Sequence, residues 1–150
     1  HASGSGRGVD MTRMSADEQI AEVQKGQDAI TQATGKEASK IFRSPGGNYH
    51  DEIIWTLQPY VTGEIGWNVD TEDWRRPGAE AIAQRLLSVK PGDVVLMHDG
   101  GGDRSQTIEA LKIALPQLVE EGYKFVTIDQ LIAYDDVEAL AKDLQDAAAA

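Results

Sequence analysis

The 150-residue sequence contains no cysteine, so it can form neither a disulfide framework nor a thiolate metal site. No apolar run approaches the roughly 18 residues that a membrane span needs, and no secretory signal pattern is visible. Positive charge is scarce, since 14 Lys and Arg stand against 25 Asp and Glu, giving a formal net charge of −11. An acidic surface of this kind argues against nucleic acid and against anionic membranes as partners.

The remaining composition is that of an ordinary globular protein, with 41% hydrophobic and 26% charged residues. It favours one domain with a substantial core. Residues 1–9 are rich in Gly and Ser and have no hydrophobic pattern, so we interpret them as a tag or linker. Residues 135–150 are rich in alanine and predict a helical tail. The folded domain is therefore expected over residues 10–134.

Four segments show the spacing of apolar residues that is typical of helices. Ser15 and Glu18 fit a capping box and Gly35 is a stop signal, so the first helix is predicted over residues 15 to 34. Asn48 is the predicted cap of the second helix. The apolar positions of the second, third and fourth helices are Ile53, Ile54, Leu57 and Tyr60; Ile82, Leu86 and Leu87; and Ile108, Leu111, Leu115, Leu118 and Val119.

Short apolar runs between these helices predict four strands, near Ile41, Ile65, Val94 and Phe125. The run at residues 94–97 has four apolar residues in succession, which indicates a fully buried strand. Strands that alternate with helices favour an α/β fold, here a parallel sheet of about four strands covered by helices.

Three of the predicted strands end in polar clusters, which contain Arg43, then Asp70 and Asp73, then His98. The carboxyl ends of parallel strands meet over one crevice, so we expect these side chains to converge. A carboxylate that is hydrogen-bonded to a histidine fixes its tautomer, which suits a general acid. A lone histidine at a strand end is more often a core or turn residue, and it is the neighbouring clusters that favour a site.

The same segments carry a resemblance to a known family. The segment Phe42-Arg43-Ser44-Pro45-Gly46-Gly47 resembles the third motif of the polysaccharide deacetylases, which are the NodB-homology domains of carbohydrate esterase family 4. Residues 67–74 are similar to the fourth motif, and residues 94–99 to the fifth. The resemblance covers roughly residues 10 to 134. It implies an irregular parallel (β/α) barrel, of which this chain carries the C-terminal two-thirds.

The resemblance also implies roles for individual residues. His98 corresponds to the general acid that protonates the leaving amine or alcohol, and Asp73 to the partner that orients it. Arg43 resembles the arginine that holds the catalytic aspartate. Leu96 resembles the wall of the pocket for the acetyl methyl group, and Trp74 the exposed wall of the substrate groove.

Two further positions are assigned to substrate binding. Gly46 stands where the family often has a tyrosine whose backbone N–H serves the oxyanion, so the shape of the groove differs here. Asp70 belongs to the fourth motif and is placed beside the substrate.

In this family one Asp and two His hold a zinc-like divalent cation, and a second Asp activates the metal-bound water. The motifs that supply these ligands are missing from this sequence, so a divalent metal is implied by the family while its ligands are not present. His1 and His50 are poor substitutes, the first because it lies at the terminus and the second because it opens a helix. Asp135 and Asp136 match the missing aspartates in letters only, since residues 131–134 predict a helix or turn.

The predicted function is that of a metal-dependent polysaccharide deacetylase, acting on N-acetylglucosamine polymers or acetylated xylan, without its metal-binding motifs, so this chain alone is expected to be inactive. The alternatives are a catalytically inactive fragment or a carbohydrate-binding α/β module, and a generic ligand-binding domain with chance motifs is a third. The resemblance implies a carbohydrate polymer as partner and a secreted or cell-surface location. An open edge of the sheet predicts self-association or a complementing N-terminal segment.

Overall fold

A computed structural model describes residues 9–134 of the chain. The chain divides into two compact units, His1–Gly66 and Trp67–Ala150, and each unit has its own helices and its own pair of strands. Of the linker predicted over residues 1–9, only Val9 is described, and it is half-buried against the core of the first unit. The expectations for residues 1–8, for the tail at 135–150, and for His1, Asp135 and Asp136 lie outside the described residues.

The first unit begins with helix α1 (Ala16–Thr34), whose two ends are fixed by local chemistry. The Glu18 backbone N–H donates to Ser15 Oγ at 3.3 Å, and the Ser15 N–H donates to Glu18 Oε2 at 2.8 Å. Gly35 ends the helix at φ +68°, a left-handed conformation that glycine adopts without strain. The predicted capping box, stop signal and length of this helix are all confirmed.

Strand β1 (Ile41–Phe42) pairs in parallel with strand β2 (Gly63–Glu64), and Phe42 lies opposite Glu64. Helix α2 (Asp51–Leu57) connects the two strands and contacts α1. The core of this unit is apolar and almost fully buried. It consists of Met11, Val23, Phe42, Ile53, Leu57 and Val61.

The predicted start and end of α2 are wrong. His50, not Asn48, occupies the position before the first helical residue. The Asn48 N–H donates to the Pro45 carbonyl at 3.3 Å and closes a short 3-10 turn over Pro45–Gly47, so this residue ends one turn and cannot begin the helix. Tyr60 also lies beyond the helix, which stops at Leu57.

In the second unit, strand β3 (Val69–Asp70) pairs in parallel with strand β4 (Val95–Leu96), and Asp70 lies opposite Leu96. Helices α3 (Ala79–Leu87) and α4 (Ser105–Glu120) pack against each other. Their shared core is built from Ile82, Ala83, Leu86, Ala110 and Ala114, with Val95 and Met97 against it.

Side chains of the β3 segment lengthen this two-residue ladder at both ends. At its start, the Asn68 N–H donates to the Val94 carbonyl at 3.1 Å, and Asn68 Oδ1 accepts the Val94 N–H at 2.7 Å. At its far end, Thr71 Oγ1 donates to the Leu96 carbonyl at 2.8 Å. The register of the two strands is therefore fixed over more residues than the strands themselves contain.

The α/β class with parallel strands is confirmed. In the described residues, however, the predicted sheet of about four strands consists of two pairs of strands. The strand predicted over residues 63–69 is divided into β2 and β3, which belong to different pairs. Residues 94–97 are half-buried rather than fully buried. Val95 and Met97 pack against the helices, and Leu96, which lies between them in the strand, points to the opposite face.

The predicted fourth strand, near Phe125, is wrong. Residues 123–127 form no strand, and Phe125 and Val126 are 58% and 42% exposed. An apolar segment becomes a strand only when a neighbouring strand pairs with its backbone groups, and none of the described strands pairs with residues 123–127. Residues 128–134 are helical, which confirms the helix or turn expected there. None of the described helices is both long and apolar enough to span a membrane.

We expect the chain to self-associate through the exposed segment at residues 123–127. Each fully exposed Val or Phe forgoes roughly 1.5–3 kcal/mol of burial. Static light scattering over a concentration series should show a mass above that of one chain, and Phe125→Asp should lower it. Tyr49→Asp, at an exposed aromatic residue of the first unit, is the control and should leave the mass unchanged. A monomer at every concentration would contradict this expectation.

Candidate functional site

The parallel register of the second unit brings two sequence motifs together. Asp73 follows the carboxyl end of β3 by three residues, and His98 follows the carboxyl end of β4 by two. Because Asp70 and Leu96 are paired in the ladder, the chain segments beyond them leave the same edge. The expected contact between His98 and Asp73 is present, with His98 Nδ1 lying 2.7 Å from Asp73 Oδ1.

The Asp73 carboxylate is completely buried, and it accepts three hydrogen bonds from two residues. In addition to the imidazole contact, the backbone N–H of His98 donates to Oδ2 at 2.8 Å. The hydroxyl of Thr107, in the first turn of α4, donates to the same oxygen at 2.9 Å. The imidazole of His98 is 36% exposed, so the pair joins a buried anion to a side chain that solvent can reach.

Two opposing effects act on the pKa of Asp73. Burial raises it, because a charged carboxylate loses its hydration. The hydrogen bonds from the His98 side chain and backbone, and from the Thr107 hydroxyl, lower it and prevail, so the pKa lies below its ordinary value. Asp73 is therefore an anion at neutral pH. An anionic carboxylate only accepts hydrogen bonds, so Nδ1 of His98 carries a proton and Nε2 is the nitrogen left to exchange one.

The other site residues predicted in this unit lie within three residues of the pair along the chain. Asp70 is exposed, and its Oδ1 accepts the Glu72 N–H at 2.8 Å. Trp74 is 50% exposed, and the guanidinium of Arg75 lies 4.8 Å from its ring centroid. Leu96 is half-buried. These positions are compatible with a groove beside His98, while the substrate-binding roles of the three residues stay predictions.

The first unit holds the remaining two predicted residues. Arg43 Nε donates to the Ile65 carbonyl at 3.3 Å, and Nη2 donates to the Gly66 carbonyl at 3.3 Å. Burial lowers the pKa of the Arg43 guanidinium from its ordinary value. Gly46 is exposed at φ +66°, where a side chain with a Cβ is strained. This backbone conformation explains why glycine, and not tyrosine, suits the position here.

Sequence reasoning missed two residues that support the site motifs. Thr107 completes the hydrogen bonding of Asp73, and its only sequence signal is its place in the first turn of the helix that follows the glycine run after His98. Glu64 accepts the Ser44 N–H at 3.1 Å and so holds the turn that contains Gly46. Nothing in the local pattern around Glu64 distinguishes it from a surface carboxylate.

The described residues do not fit a catalytic zinc site. Such a site takes about three protein ligands in fixed geometry, and within residues 9–134 no three His, Asp or Glu side chains are grouped to hold a metal. His98 is bonded to Asp73, and His50 lies exposed at the start of α2. Among the described residues, the chemistry available at the site is proton transfer by the His98–Asp73 pair.

The second unit is therefore an α/β unit in which a buried carboxylate and a partly exposed imidazole are bonded at adjacent strand ends. The model of the polysaccharide deacetylase family matches residues 7–60. A peptidoglycan-N-acetylglucosamine deacetylase of Bacillus cereus is 44% identical over 97 residues, which are 63% of this chain and 46% of that protein. The chain thus spans less than half the length of this relative.

Solved structures agree with the sequence relatives. The peptidoglycan deacetylase PdaC of Bacillus subtilis superposes with a TM-score of 0.80 at 26% identity, covering 95% of this chain and 67% of that one. A carbohydrate esterase family 4 pseudoenzyme of Bacillus anthracis has a TM-score of 0.70 at 36% identity, covering 79% and 41%. The chain belongs to the polysaccharide deacetylase family, as part of a NodB-homology domain.

The lowered pKa of Asp73 predicts a pH dependence of stability. The ionised carboxylate stabilises the folded state above its unfolded pKa of about 3.9, and this contribution is lost as the pH falls through the lower folded pKa. At pH 7, Asp73→Asn should reduce the free energy of unfolding by about 1.5–3 kcal/mol. The difference from wild type should begin to shrink below about pH 4, where the unfolded chain takes up its proton, and should disappear once the pH has fallen through the lower folded pKa, where both side chains are neutral.

Urea unfolding followed by circular dichroism, at a series of pH values, measures this difference. Asp99→Asn, at an exposed carboxylate next to His98, is the control and should change stability by less than about 0.5 kcal/mol. A gap between wild type and Asp73→Asn that stays constant from pH 7 to pH 3 would show that the charge of Asp73 does not stabilise the fold.

Proposed function

We propose that this chain provides the proton-donating part of a polysaccharide deacetylase site. The observation that carries the proposal is the 2.7 Å contact between the half-exposed His98 and the buried Asp73 at adjacent strand ends. The family and its relatives supply the reaction class, which is hydrolysis of acetyl groups on a carbohydrate polymer.

In this proposal Asp73 holds the imidazole in one orientation, and protonated His98 transfers a proton from Nε2 to the leaving amine or alcohol. Hydrolysis joins a water oxygen to the acetyl carbon, which leaves as acetate, and breaks the C–N or C–O bond to the sugar. Without a proton the sugar would depart as a strongly basic amide anion or alkoxide, and protonation of the leaving atom in the transition state contributes typically 10²–10⁴-fold in rate. Asp73 itself does not change its charge. Its role is to favour the tautomer and the orientation that present Nε2 to the substrate.

The remaining assignments concern the substrate. We propose that Trp74 forms a wall of the groove, that Leu96 lies against the acetyl methyl group, and that Asp70 contacts the sugar. Gly46 is assigned to the oxyanion through its own backbone N–H, since an N–H fixed in a turn suits a developing negative charge. The following N–H, of Gly47, is donated to the Ser44 carbonyl at 2.9 Å. Arg43 is the residue that would keep a catalytic carboxylate ionised.

The proposed substrates are N-acetylglucosamine polymers, with peptidoglycan first because the Bacillus cereus relative and PdaC are named for it. Acetylated xylan is the other family substrate considered. Peptidoglycan lies outside the cytoplasmic membrane, so we propose a secreted or surface location for the activity.

A second candidate function is a non-catalytic, carbohydrate-binding fragment. Two observations favour it: the described residues lack a group of three metal ligands, and a structural neighbour is a family 4 pseudoenzyme. Both candidates predict that the chain binds acetylated oligosaccharide through Trp74, and only the deacetylase proposal predicts release of acetate.

Acetate release from an N-acetylglucosamine oligomer separates the two candidates. The assay uses the full chain, once with a chelator and once with added zinc. We expect His98→Ala to lower the rate by about 10²–10⁴-fold, because the leaving group then departs without its proton. The matched control is His50→Ala, at an exposed histidine of the first unit, which should retain the wild-type rate.

The same preparation is titrated with the oligomer by calorimetry. Binding without any release of acetate in either buffer would support the binding module for this chain, while release of acetate would support the deacetylase proposal. Equal rates for wild type and His98→Ala would remove His98 as the acid.

Zinc titration tests the donor set directly. We expect no zinc site of micromolar or tighter affinity on the chain, because about three protein ligands are required for one. Isothermal titration calorimetry of the metal-free chain measures this. One zinc ion bound that tightly by two or more side chains would show that a ligand set exists.

A further inference from the structure

The loop that carries Asp73 has an unusual backbone. Glu72 lies at φ +50° and Arg76 at φ +55°, and these are the two non-glycine residues with positive φ in the described part of the chain. A left-handed conformation is unfavourable for a residue that has a Cβ, and it persists only where the surrounding structure enforces it. The two strained residues flank the 3-10 turn Asp73–Arg75. Something must therefore hold this loop in place.

Arg85, on α3, makes the contacts that can do so. Its Nη1 donates to the Thr71 carbonyl at 2.5 Å, and its Nη2 lies 3.1 Å from Glu72 Oε2. The other oxygen of Glu72 lies 3.4 Å from Nη1 of Arg75, which in turn stacks on Trp74. A planar guanidinium with several donors can hold a carbonyl and a carboxylate at once, which a lysine cannot do with the same geometry.

These contacts act on the two residues immediately before Asp73. Thr71 is completely buried and is also bonded to β4 through the Leu96 carbonyl. The Glu72 N–H is bonded to Asp70. The strands therefore fix one side of the loop, while Arg85 fixes the other side from a helix. The 2.7 Å contact between Asp73 and His98 therefore depends on the strands and on Arg85 together.

We propose that Arg85 is a positioning residue, which holds the left-handed Glu72 in place and thereby sets Asp73 against His98. Arg85 does not contact either member of the pair, so its effect passes through Thr71 and Glu72. Only the statement that this positioning serves catalysis rests on the proposed function. The geometric claim concerns the hydrogen bond between Asp73 and His98, and it can be tested in a chain without deacetylase activity.

Nuclear magnetic resonance of the ¹⁵N-labelled full chain supplies the readout. A proton on Nδ1 that is bonded to a buried carboxylate should give a low-field resonance protected from exchange with water. Arg85→Gln should abolish this resonance, whereas Arg85→Lys, which keeps the charge, should restore part of its intensity. The matched control is Lys112→Gln, at an exposed ion pair with Glu109 on α4, and it should leave the resonance unchanged.

Thermal melting is recorded beside each spectrum to separate positioning from general stability. Loss of the resonance in a folded Arg85→Gln chain supports the proposal, and a wild-type resonance in that variant overturns it. If Arg85→Gln does not fold, Glu72→Gly and Glu72→Ala decide. Glycine accepts φ +50° and keeps the turn, so it should retain the resonance that alanine loses. Equal spectra for these two variants would overturn the proposal.

Discussion

The buried carboxylate of Asp73 is the constraint on which the second unit depends. A charge without hydration costs several kcal/mol unless donors replace the lost water, and here three donors do so. They come from the segment after β4 and from the first turn of α4. The position of one anion therefore sets the end of a strand, the course of the glycine run and the start of a helix. The same contacts leave the imidazole of His98 partly exposed, with Nδ1 bonded to Asp73 and Nε2 not used in that bond. The bonds that compensate the buried charge are thus the same ones that orient the imidazole.

Local chemistry makes helix α1 predictable, while the strands require information that lies elsewhere in the chain. Ser15, Glu18 and Gly35 act within a few residues of each other, and the ends of α1 follow from them. The apolar segment around Phe125 indicates extended structure equally well, yet a strand exists only when a second one pairs with it. The same reasoning explains why residues 63–69 were expected as one strand, since the sequence does not reveal that β2 and β3 pair with different partners.

The site was predictable to the extent that it depends on strand ends. His98 and Asp73 follow two parallel strands in register, and their contact was expected from that. Thr107 and Arg85 act from helices, and which helical side chain reaches a strand end depends on packing that the local pattern does not encode. The family resemblance assigns roles to Arg43 and Gly46, and in the first unit the structure adds the backbone reason for a glycine at residue 46.

The clamp that Asn68 and Thr71 place around the β3–β4 ladder bears on how this domain can evolve. Both side chains that set the alignment belong to one six-residue segment, residues 68–73, which ends in the aspartate itself. What Asn68 and Thr71 bind on the other strand is backbone, at Val94 and Leu96. The alignment therefore depends on side chains of the β3 segment and only on the backbone of β4, so exchanges among apolar residues in β4 would leave these bonds in place. A transfer of residues 68–73 to another parallel pair would carry the alignment and the aspartate together, while His98 and Thr107 would have to come from the recipient.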